Sequence, residues 1–446
     1  MNFDAPKNPN YAATVTAVKA IKPLPGRDNI VSVPLFGYDV IVPKTWQPGE
    51  LGVFIPAEAQ LSHDYATANN LYRHADLNEN PDVTGYLEDN RRIKAIRLGG
   101  HASNALFMPL VSLEFAGIDV NELREGDTFD VLNGVEIVRK YERPRKTGGA
   151  SAGGNQTPKS TRIDKVHFPE HLDTSNFFRM SNTIEPSDFL WLTQKLHGTS
   201  VRFGRTIVQR KLTLRERIAL RFGVTVQTTE YANVYGSRHV IKDASNPDQA
   251  HYYTTDIWTL AGRKYDDVIP TGYVVYGELI GWTPDGKPLQ TGYTYGVPPG
   301  RSDLYVYRVA TINPHGFMTD LSWPQVEEFC ANHGLVTVPL LWAGYSEDFD
   351  PDAWMNKRYA DEGYRAVPLE PGDTVDEGVI VRIDGLKPRI YKAKASRFLE
   401  HETKSLDDEN AIDMEELGSI TEPAALTALD TAEVRAATGE LVRTVP

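Results

Sequence analysis

The sequence predicts a multidomain chain: an all-β domain first, an α+β domain behind it, and a short acidic tail that is helical. Three observations carry that prediction. Short runs of alternating apolar and polar residues fill positions 1–140. A Gly/Ser/Pro-rich stretch, "PRKTGGASAGGNQTPKS", then interrupts the chain at 144–160. Beyond it, strand-like runs mix with helical candidates. At 446 residues the chain is also too long for one ordinary domain.

In 1–140 the strand candidates are "ATVTAVKAIKPL", "NIVSVPLFGYDVIVP", "LGVFIPA", "RRIKAIRLGG" and "NALFMPLVSL", punctuated by Gly and Pro. Several short strands at this spacing suggest a small barrel or sandwich. The expectation is a five-stranded, OB-like β-barrel, an architecture that often binds nucleic acids or oligosaccharides. Residues 141–165 then have the content of a flexible basic linker. From 166 to 402 the strands are "DFLWLTQKL", "SVRFG", "YVVYGELIG", "DLYVYRVATI", "EGVIVRI" and "RIYKAKA". "WPQVEEFCANHG" reads as a helix that ends on Gly334. The tail, 403–446, reads as short acidic helices around Pro423.

Composition limits the function classes. Hydrophobic residues make up 41% and charged residues 24%, and no apolar run approaches the ~18 residues of a membrane span. "MNFDAPKNPNYAATV" lacks the basic stretch and apolar core of a signal peptide. The single cysteine, Cys330, excludes an internal disulfide framework and fits a reducing, cytoplasmic compartment as a buried thiol. The net charge of −13 is uneven: residues 403–446 hold ten acids against three bases. By contrast, 139–165 carries eight bases and two acids, and Arg205–Arg221 six bases and one acid. These two basic stretches are either solvated faces or phosphate contacts.

The chemistry centres on "LTQKLHGTSVRFG", residues 192–204. Lys195 stands at a strand exit, with Gly198 and the hydroxyls of Thr199 and Ser200 just after it. Glycine permits a tight turn and close backbone approach, and an unprotonated lysine can form a covalent bond to phosphorus. Taken alone, "KxxG" is an ordinary string. Further on, "YVVYGELIG" is read as putting Glu278 at the end of a strand beside Gly277, Glu377 precedes "GVIVRI", and Lys392 and Lys394 lie two apart, on one face if this is a strand. Singly, these are strand-end acids and an exposed edge. Together they compose one nucleophile, two carboxylates for a divalent metal, and two cations for a triphosphate, a set that suits Mg²⁺.

In the order "KLHGTS", "YGSR", "VYGELIG", "YVYRV", "EGVIVRI", "YKAKASRF", the region 166–400 resembles the nucleotidyltransferase domain of the ATP-dependent RNA ligases. These belong to the covalent superfamily that also holds DNA ligases and mRNA capping enzymes. "KLHGTS" and "KAKASRF" are similar to the RNA ligase 2 type. An N-terminal OB-like domain resembles the RNA ligase 5 group, as do "GYDVIVPKTWQPGELGVFIPAEAQLS" and "RRIKAIRLGGHASNALFMPL". The resemblance implies that Lys195 takes AMP from ATP, with His197 supporting that step at the Gly198 turn. It implies that Arg238 contacts ribose or an RNA end phosphate, that Glu278 and Glu377 hold ribose or Mg²⁺ or Mn²⁺, and that Tyr307 stacks on adenine. Lys392 and Lys394 would hold phosphates and favour the unprotonated amine, whose ordinary pKa is about 10.4.

Three positions depart from the family pattern. Gln194 stands where the RNA ligase 2 type has Glu, which bears on adenine contacts. Ser200 replaces an Asn, and Arg308 follows Tyr307 where Asp is common. The implied reaction joins a 3′-hydroxyl to a 5′-phosphate through lysyl-AMP and an adenylylated 5′ end, on nicked or templated RNA. DNA ligases and capping enzymes carry their OB domain after the last motif, and here only the acidic tail follows Lys394. DNA ligation, RNA capping and an inactive RNA-binding relative are the alternatives.

Overall fold

A computed structural model describes residues 4–142, 162–242 and 256–408. The central part of the predicted linker, 143–161, and most of the predicted tail, 409–446, lie outside the described residues.

The N-terminal domain is built on an antiparallel sheet of Thr128–Phe129, Ala13–Ala17, Leu51–Pro56 and Ala105–Pro109, in that order. Val15, Val53 and Ile55 are fully buried in its core. The strands Ile30–Leu35 and Tyr38–Pro43 form a tight hairpin. Its two turn residues, Phe36 and Gly37, have φ of 51° and 78°, the left-handed pair that matches the twist of the strands it joins. The β class expected for this domain holds, but the closed barrel does not form. Among the described residues its ladders split into separate sheets. Most strands carry two to six residues and a helical turn, Leu110–Ala116, intervenes, so no continuous ladder runs round a barrel.

The second domain packs two sheets. The first contains β1 (Phe189–Gln194), β6 (Leu340–Tyr345), β7 (Gly378–Ile383) and β8 (Arg389–Lys394), with β1 and β8 flanking β7 and Ser175–Asn176 beyond β8. The second contains β2 (Thr199–Gln209), β3 (Thr229–Ser237), β4 (Tyr273–Gly281) and β5 (Ser302–Ile312), in the order β3-β2-β4-β5. Leu190 and Leu192 of β1 bury fully with Val379, Val381 and Ala393, as alternating side chains of neighbouring strands should. A short helix, α1 (Leu214–Arg221), caps the β2–β3 hairpin.

The helix predicted at 323–334 is α2 (Trp323–His333). Ser322 and Gln325 form its capping box, Pro324 sits in the first turn, and Gly334 ends it with φ of 67°. Cys330 lies on its buried face, and burial pushes that thiol up to about 12, so it is structural. The last described element is α3 (Ser396–Asp407), which leaves β8 and lies against the N-terminal domain.

Candidate active site

The backbone N–H of Lys195 donates to the Gly378 carbonyl at 3.0 Å, one rung beyond β1, so the lysine leaves a fixed strand end. Its Nζ lies 2.7 Å from Oε1 of Glu377, whose side chain is 2% exposed. Register pairs Gly378 with Lys394, which brings that second ammonium to 3.4 Å from the same oxygen. Lys394 also meets Glu402 of α3 at 2.8 Å. Burial alone would lower the Lys394 pKa, but Glu402 and Glu377 outweigh it and hold the amine well above its usual value. Two ammoniums thus face one buried carboxylate, with a second carboxylate behind.

The Gly-Thr-Ser turn is shaped by close approach of β4. A Cβ on Gly198 would fall 2.1 Å from the Leu279 carbonyl oxygen, so only glycine fits. The turn then donates to Glu278: the Gly198 N–H reaches Oε1 at 3.1 Å and the Ser200 hydroxyl Oε2 at 3.3 Å. His197 sits edge-on to Tyr293 and Phe398, with Nδ1 3.6 Å from Oε2 of Glu377. Its N–H donates to the Tyr295 hydroxyl at 2.8 Å.

The remaining residues converge from elsewhere. The register of β4 with β5 shifts between Tyr276 and Gly277, which places Tyr307 at a bulge, a device that re-aims a side chain. Its hydroxyl lies 2.5 Å from Nδ1 of His171. Arg238, just past β3, donates to Asp173 at 2.8 Å. Arg308 is buried against Tyr276 and held by Asp320. A cavity of about 470 Å³ is lined by Gln194, Lys195, Arg238, Glu278, Tyr307, Lys392 and Lys394. That volume suits a small ligand. His197, Gly198 and Glu377 stand directly behind the lining, through the contacts above. Residues spread over 200 positions of sequence therefore meet at one cavity.

Gln194 is placed differently from an adenine contact made by its side chain. Its amide donates to the Val367 carbonyl and to Asp376 at 2.9 and 2.7 Å, and its oxygen accepts from the Val367 N–H at 2.8 Å. Asp376 also accepts from the Tyr359 N–H at 2.8 Å, and burial pushes its carboxyl up to about 6.

Sequence reasoning missed the other half of the wall. Asn10, Tyr11, Lys140 and Tyr141 of the N-terminal domain line the same cavity, as does Glu402. Only the basic run that begins at Arg139 hinted at phosphate contact there. Among the described residues no group of three or more His, Cys, Asp or Glu could hold a metal ion. Glu278 and Glu377 nevertheless suit a hard cation that takes its other ligands from phosphate and water, and Oε2 of Glu377 is buried without a hydrogen-bond partner. Among the described residues no helix is long and apolar enough to cross a membrane.

Residues 188–394 match the family described as RNA ligase. Among solved structures, the chain is similar to the RNA ligase of Naegleria gruberi with PPi: TM-score 0.54, 16% identity, 88% of this chain and 98% of that one covered. A mutant of the same ligase with ATP and Mn gives TM-score 0.53 and 15% identity over 89% and 99% of the two chains. No curated protein sequence matches. At such identities the structural likeness is one of fold, whereas the sequence match is to the family itself. Over residues 188–394, the stretch that holds Lys195, Glu278, Glu377 and Lys394, this chain is thus similar to the RNA ligase family.

Proposed function

We propose that this chain joins RNA ends with ATP, by way of lysyl-AMP on Lys195. The observation that carries the reading is the Lys195 amine, 2.7 Å from a buried Glu377, at the wall of a cavity that Lys392 and Lys394 also line. Glu377 orients the amine toward the cavity. Attack on the α-phosphorus of ATP forms an N–P bond and breaks the bond to pyrophosphate. An RNA 5′-phosphate oxygen then displaces the lysine and takes the AMP. A 3′-hydroxyl finally attacks that phosphate, forming the phosphodiester and releasing AMP.

Tyr307 offers a ring for the base, and Lys392 and Lys394 offer charge to the phosphates. Glu278 and Glu377 would hold Mg²⁺ or Mn²⁺, which supplies charge neutralisation at the triphosphate. The substrate we favour is a nick in an RNA-containing duplex, because the family likeness of the motifs is to nick-joining types. The fold likeness to a ligase solved with ATP and Mn supports the cofactor choice.

The test is to incubate the protein with α-labelled ATP and Mg²⁺ without RNA, then denature it. Acid-labile label on the chain, absent from Lys195→Ala, is the expected result. Label from GTP alone would turn the reading toward capping, and no label from either toward an RNA-binding protein. Nicked duplexes of RNA and DNA then separate the substrates.

A further inference from the structure

Helix α1, at the tip of the β2–β3 hairpin, takes no part in the chemistry above. None of its residues is buried. Leu214, Ile218, Phe222 and Val224 are 67, 49, 81 and 54% exposed, the densest such cluster among the described residues. At 100° per residue, Leu214, Ile218 and Phe222 form one stripe. Arg217 and Arg221 flank it on one side and Arg215 on the other. Glu216 lies on the far side, taken up by the Thr213 capping box and by Arg210. Among the described residues, Lys211, Arg215, Arg217 and Arg221 are exposed and have no ion-pair partner.

An eight-residue helix with nothing buried is marginal in water. The capping box alone does not explain an apolar stripe held open to solvent, so the stripe calls for a cover. A nucleic-acid backbone would satisfy the arginines but leave the stripe wet. A peptide that interleaves acids with aliphatic side chains satisfies both. The chain itself contains such a peptide. Residues 409–446 hold eight acids against two bases, and Ile412, Met414, Leu417 and Ile420 alternate there with Asp413, Glu415 and Glu416. A random coil of 38 residues spans roughly 30–40 Å, and tethering supplies an effective concentration on the order of millimolar.

We propose that residues 409–446 dock on helix α1 of their own chain, acids to the flanking arginines and aliphatic side chains to the Leu214–Ile218–Phe222 stripe. The contact is part electrostatic and so weakens with salt. Its consequence is a covered basic surface on the hairpin, independent of the chemistry at Lys195.

Amide hydrogen exchange over 214–222 in the full-length chain tests it, at low and at 0.5 M salt. The comparison is a full-length variant with Asp413→Asn, Glu415→Gln and Glu416→Gln. We expect exchange in α1 to rise roughly tenfold in that variant and to rise with salt in the parent, with β2 and β3 unchanged. Arg215→Glu with Arg217→Glu, read on the exchange of the tail, provides a second arm should the first variant misfold. Identical exchange in the parent and the first variant, with tail exchange unmoved in the second, overturns the proposal. So does protection of α1 that appears only with added RNA duplex, only with phosphatidylserine vesicles, or only as protein concentration rises. Those outcomes assign the surface to RNA, to a membrane or to a second copy.

Discussion

Position 194 shows how one atom type decides a residue's role. An amide can both donate and accept, so Gln194 ties the end of β1 to the Val367 backbone and to the Asp376 carboxylate. A carboxylate there would face the Val367 carbonyl and Asp376 with acceptors only. Gln194→Glu should therefore cost about 2–4 kcal/mol of stability, from two lost hydrogen bonds to buried groups and like-charge repulsion. Urea unfolding measures it, and a loss below ~0.5 kcal/mol would mean that the clamp is not what orders this loop. The Ser200 hydroxyl likewise donates to Glu278, so that departure from the family pattern keeps a local partner. Residue identities were legible in the sequence for Lys195, Glu278, Glu377 and Lys394 because each sits in a short local motif. Where the Gln194 side chain points was not, because its partner lies 173 positions away.

At the scale of elements, the register of β1, β7 and β8 aligns Lys195, Glu377 and Lys394 on one carboxylate. The strands were readable from alternation, and α2 from its caps. The bulge at Tyr307 was not, since it depends on how β4 and β5 pair. The segment that leads into this domain carries its own pH dependence. His167 Nδ1 lies 3.0 Å from both Asp164 oxygens, and its Nε2 3.2 Å from the Pro314 carbonyl. The doubly protonated ring donates to both partners. Partial burial opposes that form, but Asp164 and Pro314 outweigh it and raise the pKa. A raised folded value means that this stabilisation is fully present below the ordinary value of about 6.5 and is lost as pH rises through the folded one. Unfolding measured from pH 6 to 8 should show a decline that His167→Gln flattens; an unaltered slope in that variant would assign the dependence elsewhere.

For the whole molecule, the consequential contact is the one between α3 and the N-terminal domain. Arg92, 1% exposed at its side chain, donates to both oxygens of Glu58 at 2.6 and 2.9 Å, to the Thr403 carbonyl at 3.1 Å and to Asp407 at 2.9 Å. The same α3 presents Glu402 to Lys394. The domain interface and the Lys394 side of the cavity wall therefore share one helix. Arg92→Met leaves Glu58 buried without its cation, which should cost about 3–5 kcal/mol. Calorimetry should show a lower melting temperature, with exchange in α3 increased. If both are unchanged, the two domains are held by other contacts, such as Arg179 to the Pro9 and Ala12 carbonyls.

By itself the sequence predicted the strand and helix content of residues 166–402 and the identity of the residues that surround Lys195. These follow from local signals: alternation, caps, and motifs whose members lie within a few residues. Only the tertiary structure decided the rest. It split the first domain into short open sheets, tied the Gln194 amide to Val367 and Asp376, and brought Asn10, Tyr11, Lys140 and Glu402 to the cavity that Lys195 lines. Those outcomes depend on strand register and domain packing between segments far apart in the chain, and no local pattern encodes such distances.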